Sequence, residues 1–164
     1  MNRPNRATPT AHQPEPPARR HAAVDVHHVA ILREPYLSLV VSGEKRVEAR
    51  ITQRSIAPFR CVEKGERVYL KKSGGPYHAT ATVQRAEFWE FDQSGDLQTL
   101  RSEYGHLIHG TEEFWASKSR ARVATLVWLS DIEPTDDGPD LSGLPPAARR
   151  CAWHRFPSVL RRPA

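Results

Sequence analysis

The sequence predicts an α+β domain, a small β-barrel in outline: about five or six curled strands with two or three short helices. Three observations carry this reading. Short β-branched runs alternate with turn signals, two segments combine helical spacing with end caps, and the last third holds a nearly continuous apolar run.

The first strand is "VHHVAIL", placed at about His28 to Leu32 because it is short, β-branched and followed by a break. Pro35 then stands where a first helical residue belongs, and Tyr36, Leu39, Val40 and Gly43 follow at i, i+3, i+4 and i+7. This predicts a helix from Pro35 to Ser42, closed by Gly43 as a left-handed cap. "KRVEARI" and "ERVYLKKS" read as strands, the second after the turn signal "EKGE". "PYHATATVQRAEFWEF" is the longest strand candidate, with Ala79, Ala81 and Val83 on one face and His78, Thr80 and Thr82 on the other. "DLQTLRSEYG" reads as a helix capped by Asp96 and ending at Gly105, and Thr111 caps a second short helix in "TEEFWAS". "RVATLVWLSDIEP" is apolar enough to be buried on both faces or to close a barrel.

The 164 residues suit one domain, read as residues 26–133. Residues 1–25 form a Pro- and Arg-rich tail whose five prolines by Pro17 oppose an amphipathic targeting helix, so disorder is expected there. Residues 134–164 read as a loop and a basic extension. No apolar stretch approaches the roughly 20 residues of a membrane helix, and no signal-peptide core is visible, so a cytoplasmic protein without a membrane partner is expected. Cys61 and Cys151 make no disulfide framework and suit a reducing compartment. "HLIH" (His106, His109) and "CAWH" (Cys151, His154) each resemble half a zinc site, but without a CxxC pair no metal and no cofactor are expected.

The net charge of +5 conceals a division: residues 1–24 carry +3 and 149–164 carry +5, leaving −3 on the interior. Within the interior, residues 25–85 hold 11 basic and 6 acidic residues, whereas 86–148 hold 4 and 12. A polyanionic partner suits the basic half.

The run "SGEKRVEAR" in that half places Gly43, Lys45, Glu48 and Arg50 directly after the first helix. With "GERVYLKKSGGPYHATATV" and "RVATLVWLSDIEP", it resembles the ASCH domain of the PUA-like superfamily, whose signature is Gly-x-Lys-x-x-[Glu/Thr]-x-Arg after a first strand and helix. The resemblance spans about Val26 to Glu133. It implies a compact barrel with a cleft beside the first helix, used on RNA or nucleotides. Strand parity puts Arg46, Glu48 and Arg50 on one face, expected outside the barrel, and Val47, Ala49 and Ile51 on the inner one. Glu48 is then expected between two arginines, and Lys45 joins the cleft only if the chain bends after Gly43.

Two functions follow as expectations. As a binding module for RNA or a nucleotide, the protein would use Arg46, Arg50, Arg54, Lys71 and Lys72 on phosphates, the Ser73 loop amides on an anion, and Tyr36 or Tyr69 for stacking. Lys45 and Glu48 belong to the same binding surface. As an enzyme it would resemble the bacterial ASCH amidohydrolases that deacylate N4-acetylcytidine with a lysine, a threonine and a distal glutamate. Lys45 matches the lysine, Glu48 stands at the threonine position, and Glu103 is the nearest match for the distal acid. Opposed neighbours favour a charged Lys45, so Glu48 is the alternative general base with Lys45 on the oxyanion. A ribonuclease, pairing His78 with the motif carboxylate, ranks third.

Overall fold

Alternation of small apolar and polar residues makes "YHATATVQRAEFWE" a strand long enough to serve two neighbours. In the computed structural model, which describes residues 26–157, it forms β4 (Tyr77–Glu90). The first half of β4 pairs with β3 (Arg67–Lys72), and nearly its whole length pairs with β5 (Val123–Pro134), both antiparallel. β2 (Val47–Thr52) flanks β5, while β1 (Val26–Leu32) runs parallel to β3 and carries β6 (Trp153–Pro157) antiparallel on its other side. The result is one six-stranded sheet in the order β2-β5-β4-β3-β1-β6. Register shifts between Leu70 and Lys71, Thr80 and Thr82, and Val83 and Arg85 add local twist, and the sheet curls into a half-barrel.

α1 (Tyr36–Val41) crosses between β1 and β2, burying Leu37 and Val40, and the Glu34 carboxylate accepts hydrogen bonds from the Ser38 amide and hydroxyl at its start. α2 (Asp96–Ile108) and α3 (Glu112–Ser117) lie between β4 and β5 in the chain, and a single turn, α4 (Pro146–Arg149), precedes β6. The Thr111 hydroxyl caps α3 by accepting the Phe114 amide, as its position predicts.

Asp96 is not a cap of its own helix. It is the first residue of α2, and its carboxylate accepts the Asp92 and Gln93 amides of the preceding turn. Nor does α2 stop at Gly105. It continues to Ile108 and ends at His109, left-handed at φ 59°.

Two clusters fill the two faces. Leu32, Leu37, Val68, Ala81, Val83 and Trp153 belong to the one inside the curl; Val47, Ala49, Ile51, Leu100, Ile108 and Trp115 belong to the other, beneath α2 and α3. The apolar side of β2 therefore packs under the helices, not inside the barrel as its parity alone suggests. β5 serves both clusters, with Val127 and Leu129 in the first and Ala124 and Leu126 in the second, which explains its unbroken apolar run.

The expected C-terminal extension is partly structural, since residues 153–157 are the sixth strand. The segment leading to it is tied to β4 where the Tyr77 hydroxyl donates to the Pro139 carbonyl at 2.5 Å. Gly138 lies so close that an added Cβ would stand 2.7 Å from the Tyr77 ring. The expectations for residues 1–25, and for the last arginines of the chain, fall outside the described residues.

β6 is locked in place by His28, which is fully buried. The Trp153 indole N–H donates to His28 Nδ1 at 3.1 Å, which leaves Nε2 to carry the proton toward Glu66 Oε2, 2.7 Å away. Burial pushes the His28 pKa below its ordinary value against the opposing pull of Glu66, so the folded state holds it neutral. His154, also buried, is pushed the same way by burial. The unfolded chain then binds more protons than the folded one just below pH 6.5, and stability falls as pH drops through that value toward the folded pKa. Thermal midpoints measured between pH 7 and pH 5 are expected to decline, with a shallower decline in His28→Gln; an unchanged slope in that variant would refute the assignment.

Candidate functional site

The motif begins where α1 must end. The Ser42 and Gly43 amides bond back to the Ser38 and Val40 carbonyls, and Gly43 adopts φ +80°. An added Cβ at Gly43 would meet nothing within 4 Å, so glycine answers a backbone need and not a lack of space. The Lys45 amide then returns to the Leu39 carbonyl at 2.9 Å. This reversal brings the Lys45 side chain inward, where it is 3% exposed.

Lys45 Nζ donates to the Ile108 carbonyl at the end of α2, 2.5 Å away, and stands 3.7 Å from Glu48 Oε2 and 5.3 Å from the centre of the Tyr36 ring. Glu48 is 6% exposed, and its Oε1 lies 3.0 Å from Arg50 Nε. That contact is close but poorly aligned, so the Nε–H lacks a directed hydrogen bond. Arg50 is held elsewhere: its terminal Nη2 donates to the Ile31 carbonyl at 3.1 Å, and its guanidinium lies 5.5 Å from the Trp153 ring centre. A buried carboxylate thus sits between two cations, each fastened by a further partner.

Burial pushes the Lys45 pKa down; Glu48 pulls it up and Arg50 adds to the fall. Burial, which the charges along the motif do not reveal, is the larger influence.

Glu48 and Arg50 open onto a cleft of about 390 Å³ beside α1. Tyr36 of α1, Phe114 of α3, Lys118 just after α3 and Trp153 of β6 share its walls. The Tyr36 and Phe114 rings are 6.3 Å apart and tilted by 56°. Glu48 is the one acid lining the cleft among the described residues, against Arg33, Arg50 and Lys118.

The other expected site residues lie elsewhere. Lys45 is not part of the cleft lining, and Arg46 is exposed, using its backbone carbonyl to accept the Leu129 amide. Glu48 therefore lies between Lys45 and Arg50, and not between two arginines. Lys71 donates to the Gly75 carbonyl and lines a separate depression with Arg149 and His154, while Lys72 is exposed. The Ser73 and Gly75 amides bond to the Leu32 and Lys72 carbonyls, so this turn is a closed hairpin and not an open anion nest. Glu103 is exposed on α2, and Arg54 and His78 are also exposed, all outside the cleft. Tyr69 packs edge-on against His27 and Tyr77. The sequence reading missed Arg33, Phe114, Lys118 and Trp153, whose common wall is assembled from distant segments.

No group of three His, Cys, Asp or Glu among the described residues is arranged to hold a metal ion, and no helix among them is long and apolar enough to cross a membrane. His106 and His109 are exposed, and His154 is buried while Cys151 is exposed.

No protein-family model and no curated protein matches the sequence. Solved structures do. The chain is similar to ASCH from Zymomonas mobilis, with 22% identity, a TM-score of 0.52, and coverage of 66% of this chain and 69% of that one. Crystal structures of two single-residue variants of that protein also match at 22% identity and TM-score 0.53, each over 66% of this chain and over 71% and 70% of theirs. At such identity the likeness concerns the backbone alone: the chain has an ASCH-like fold.

Proposed function

We propose that the protein is an RNA- or nucleotide-binding module that uses the cleft beside α1. The observation that carries this reading is the pairing of aromatic walls (Tyr36, Phe114, Trp153) with an excess of cations (Arg33, Arg50, Lys118) around one carboxylate. Aromatic faces take unstacked bases and cations take phosphates. Glu48 serves as an anchor: its two oxygens face Lys45 and Arg50, and its remaining lone pairs can accept a base N–H. The Arg-rich ends of the chain add affinity without sequence preference.

Binding of a single-stranded RNA of about 12 nucleotides, within the usual site sizes, tests the reading by fluorescence anisotropy over a salt series. Tyr36→Leu should weaken binding about tenfold, the worth of one stacked base. The Lys72→Ala variant, altered outside the cleft, should retain most of the affinity. If Tyr36→Leu binds like the wild type, the affinity resides in the basic ends and the cleft is not the site.

The anchor role has its own consequence. Glu48→Gln and Lys45→Met should each lower the unfolding free energy by about 3 kcal/mol, because each leaves a buried charge short of its partner. The double variant should lose clearly less than the two single losses combined, since the second change removes the charge stranded by the first. Additive losses in denaturant titrations would end the anchor reading.

A second reading, an amidohydrolase acting on modified nucleosides, rests on the lowered Lys45 pKa and its closeness to Glu48. Against it, the Lys45 amine is engaged by the Ile108 carbonyl behind Glu48, and Glu103 supplies no second acid to the cleft. Wild-type protein incubated with N4-acetylcytidine is expected to yield no cytidine by mass spectrometry. Turnover that Glu48→Gln reduces a hundredfold, the usual contribution of a general base, would reverse the ranking of the two readings. The ribonuclease alternative gains no support, because His78 is exposed on β4 away from Glu48.

A further inference from the structure

Lys118 follows the last residue of α3, half-buried, with its Nζ 5.1 Å from the centre of the Phe114 ring. It lines the cleft. Among the described residues no carboxylate pairs with its amine, and Arg33, which also lines the cleft, is likewise without an ion pair. The one acid of the cleft, Glu48, is already shared by Lys45 and Arg50. The site therefore carries positive charge that nothing within it balances.

A helix C-terminus favours a lysine for reasons of the backbone dipole alone. That accounts for a cation near the end of α3, but a solvated one would serve equally, and Arg120, two residues on, is exposed. Lys118 is instead drawn over Phe114 into a cleft whose walls include Ile51 and Ile56. Burial, with Arg50 adding, pushes its pKa down, so the ammonium form is held there at a cost that an incoming anion would offset.

We propose that Lys118, with Arg33 and Arg50, receives a phosphate group, so that the cleft takes a phosphorylated nucleotide unit in preference to a free nucleoside. This rests on the nucleotide-binding reading of the same cleft and narrows it. The base occupies the aromatic walls and the phosphate meets the cationic one, which adds a charge-assisted hydrogen bond that a nucleoside lacks.

Calorimetric titration of the full chain with each of the four common ribonucleosides and its 5′- and 3′-monophosphates tests this. At least one monophosphate should bind tenfold or more tightly than its nucleoside, and inorganic phosphate should compete with it but not with the nucleoside. Lys118→Met, which keeps the packing on Phe114, should weaken that monophosphate about tenfold or more and leave the nucleoside within about twofold, whereas Lys118→Arg should retain the preference. Equal binding of nucleoside and monophosphate by the wild type overturns the phosphate assignment and needs no variant. So does a Lys118→Met variant that weakens both ligands alike, and both results leave the nucleotide-binding reading intact. Failure of every nucleoside and nucleotide to bind, with single-stranded RNA also unbound, removes that reading and this inference together.

Discussion

Placing Lys45 and Glu48 together in the interior is the constraint on which the site depends. A lysine at 3% exposure and a glutamate at 6% are each costly to bury alone. They are tolerable here because α2 ends with its Ile108 carbonyl on the lysine amine, and Arg50 reaches the far side of the carboxylate. Arg50 then needs support of its own, which the Ile31 carbonyl of β1 and the Trp153 ring of β6 supply. One short charged motif thereby ties β2 to α2, β1 and β6, and the cleft occupies the space these ties leave open.

The same ties explain why β6 matters to a site that lies mostly on other elements. Trp153 presents its ring to Arg50 and its indole N–H to His28, so a single side chain couples the charged cleft to the buried histidine of β1. "CAWH" read in isolation suggests a metal half-site, because the sequence displays the cysteine and histidine and not the partners of the tryptophan between them.

What the sequence made legible was local. Strand alternation in β4, the Thr111 cap and the left-handed Gly43 each follow from a few adjacent residues, and the motif spacing with its flanking elements was enough to indicate the ASCH-like fold. Parity along β2 set Glu48 and Arg50 on one face, but that the apolar face packs under α2 and α3 and not inside the barrel depended on helices some fifty residues further on. Arg46 failed as a partner of Glu48 for a related reason: it precedes the strand, and its side chain is exposed. The wall of Arg33, Phe114, Lys118 and Trp153 was illegible because its members come from four segments and share no spacing.

Glu48 also decides what kind of lysine Lys45 is. Two influences lower the Lys45 pKa, burial and Arg50, and Glu48 raises it through the charge of a carboxylate 3.7 Å away. Without the carboxylate, burial and Arg50 would act together toward a neutral amine, opposed only by the Ile108 carbonyl that the amine hydrogen-bonds. With glutamate present, the amine is held toward its charged form and locks the carboxylate in place. Glu48 therefore sets the role of its neighbour as well as its own, and the two residues must be exchanged or interpreted as a pair.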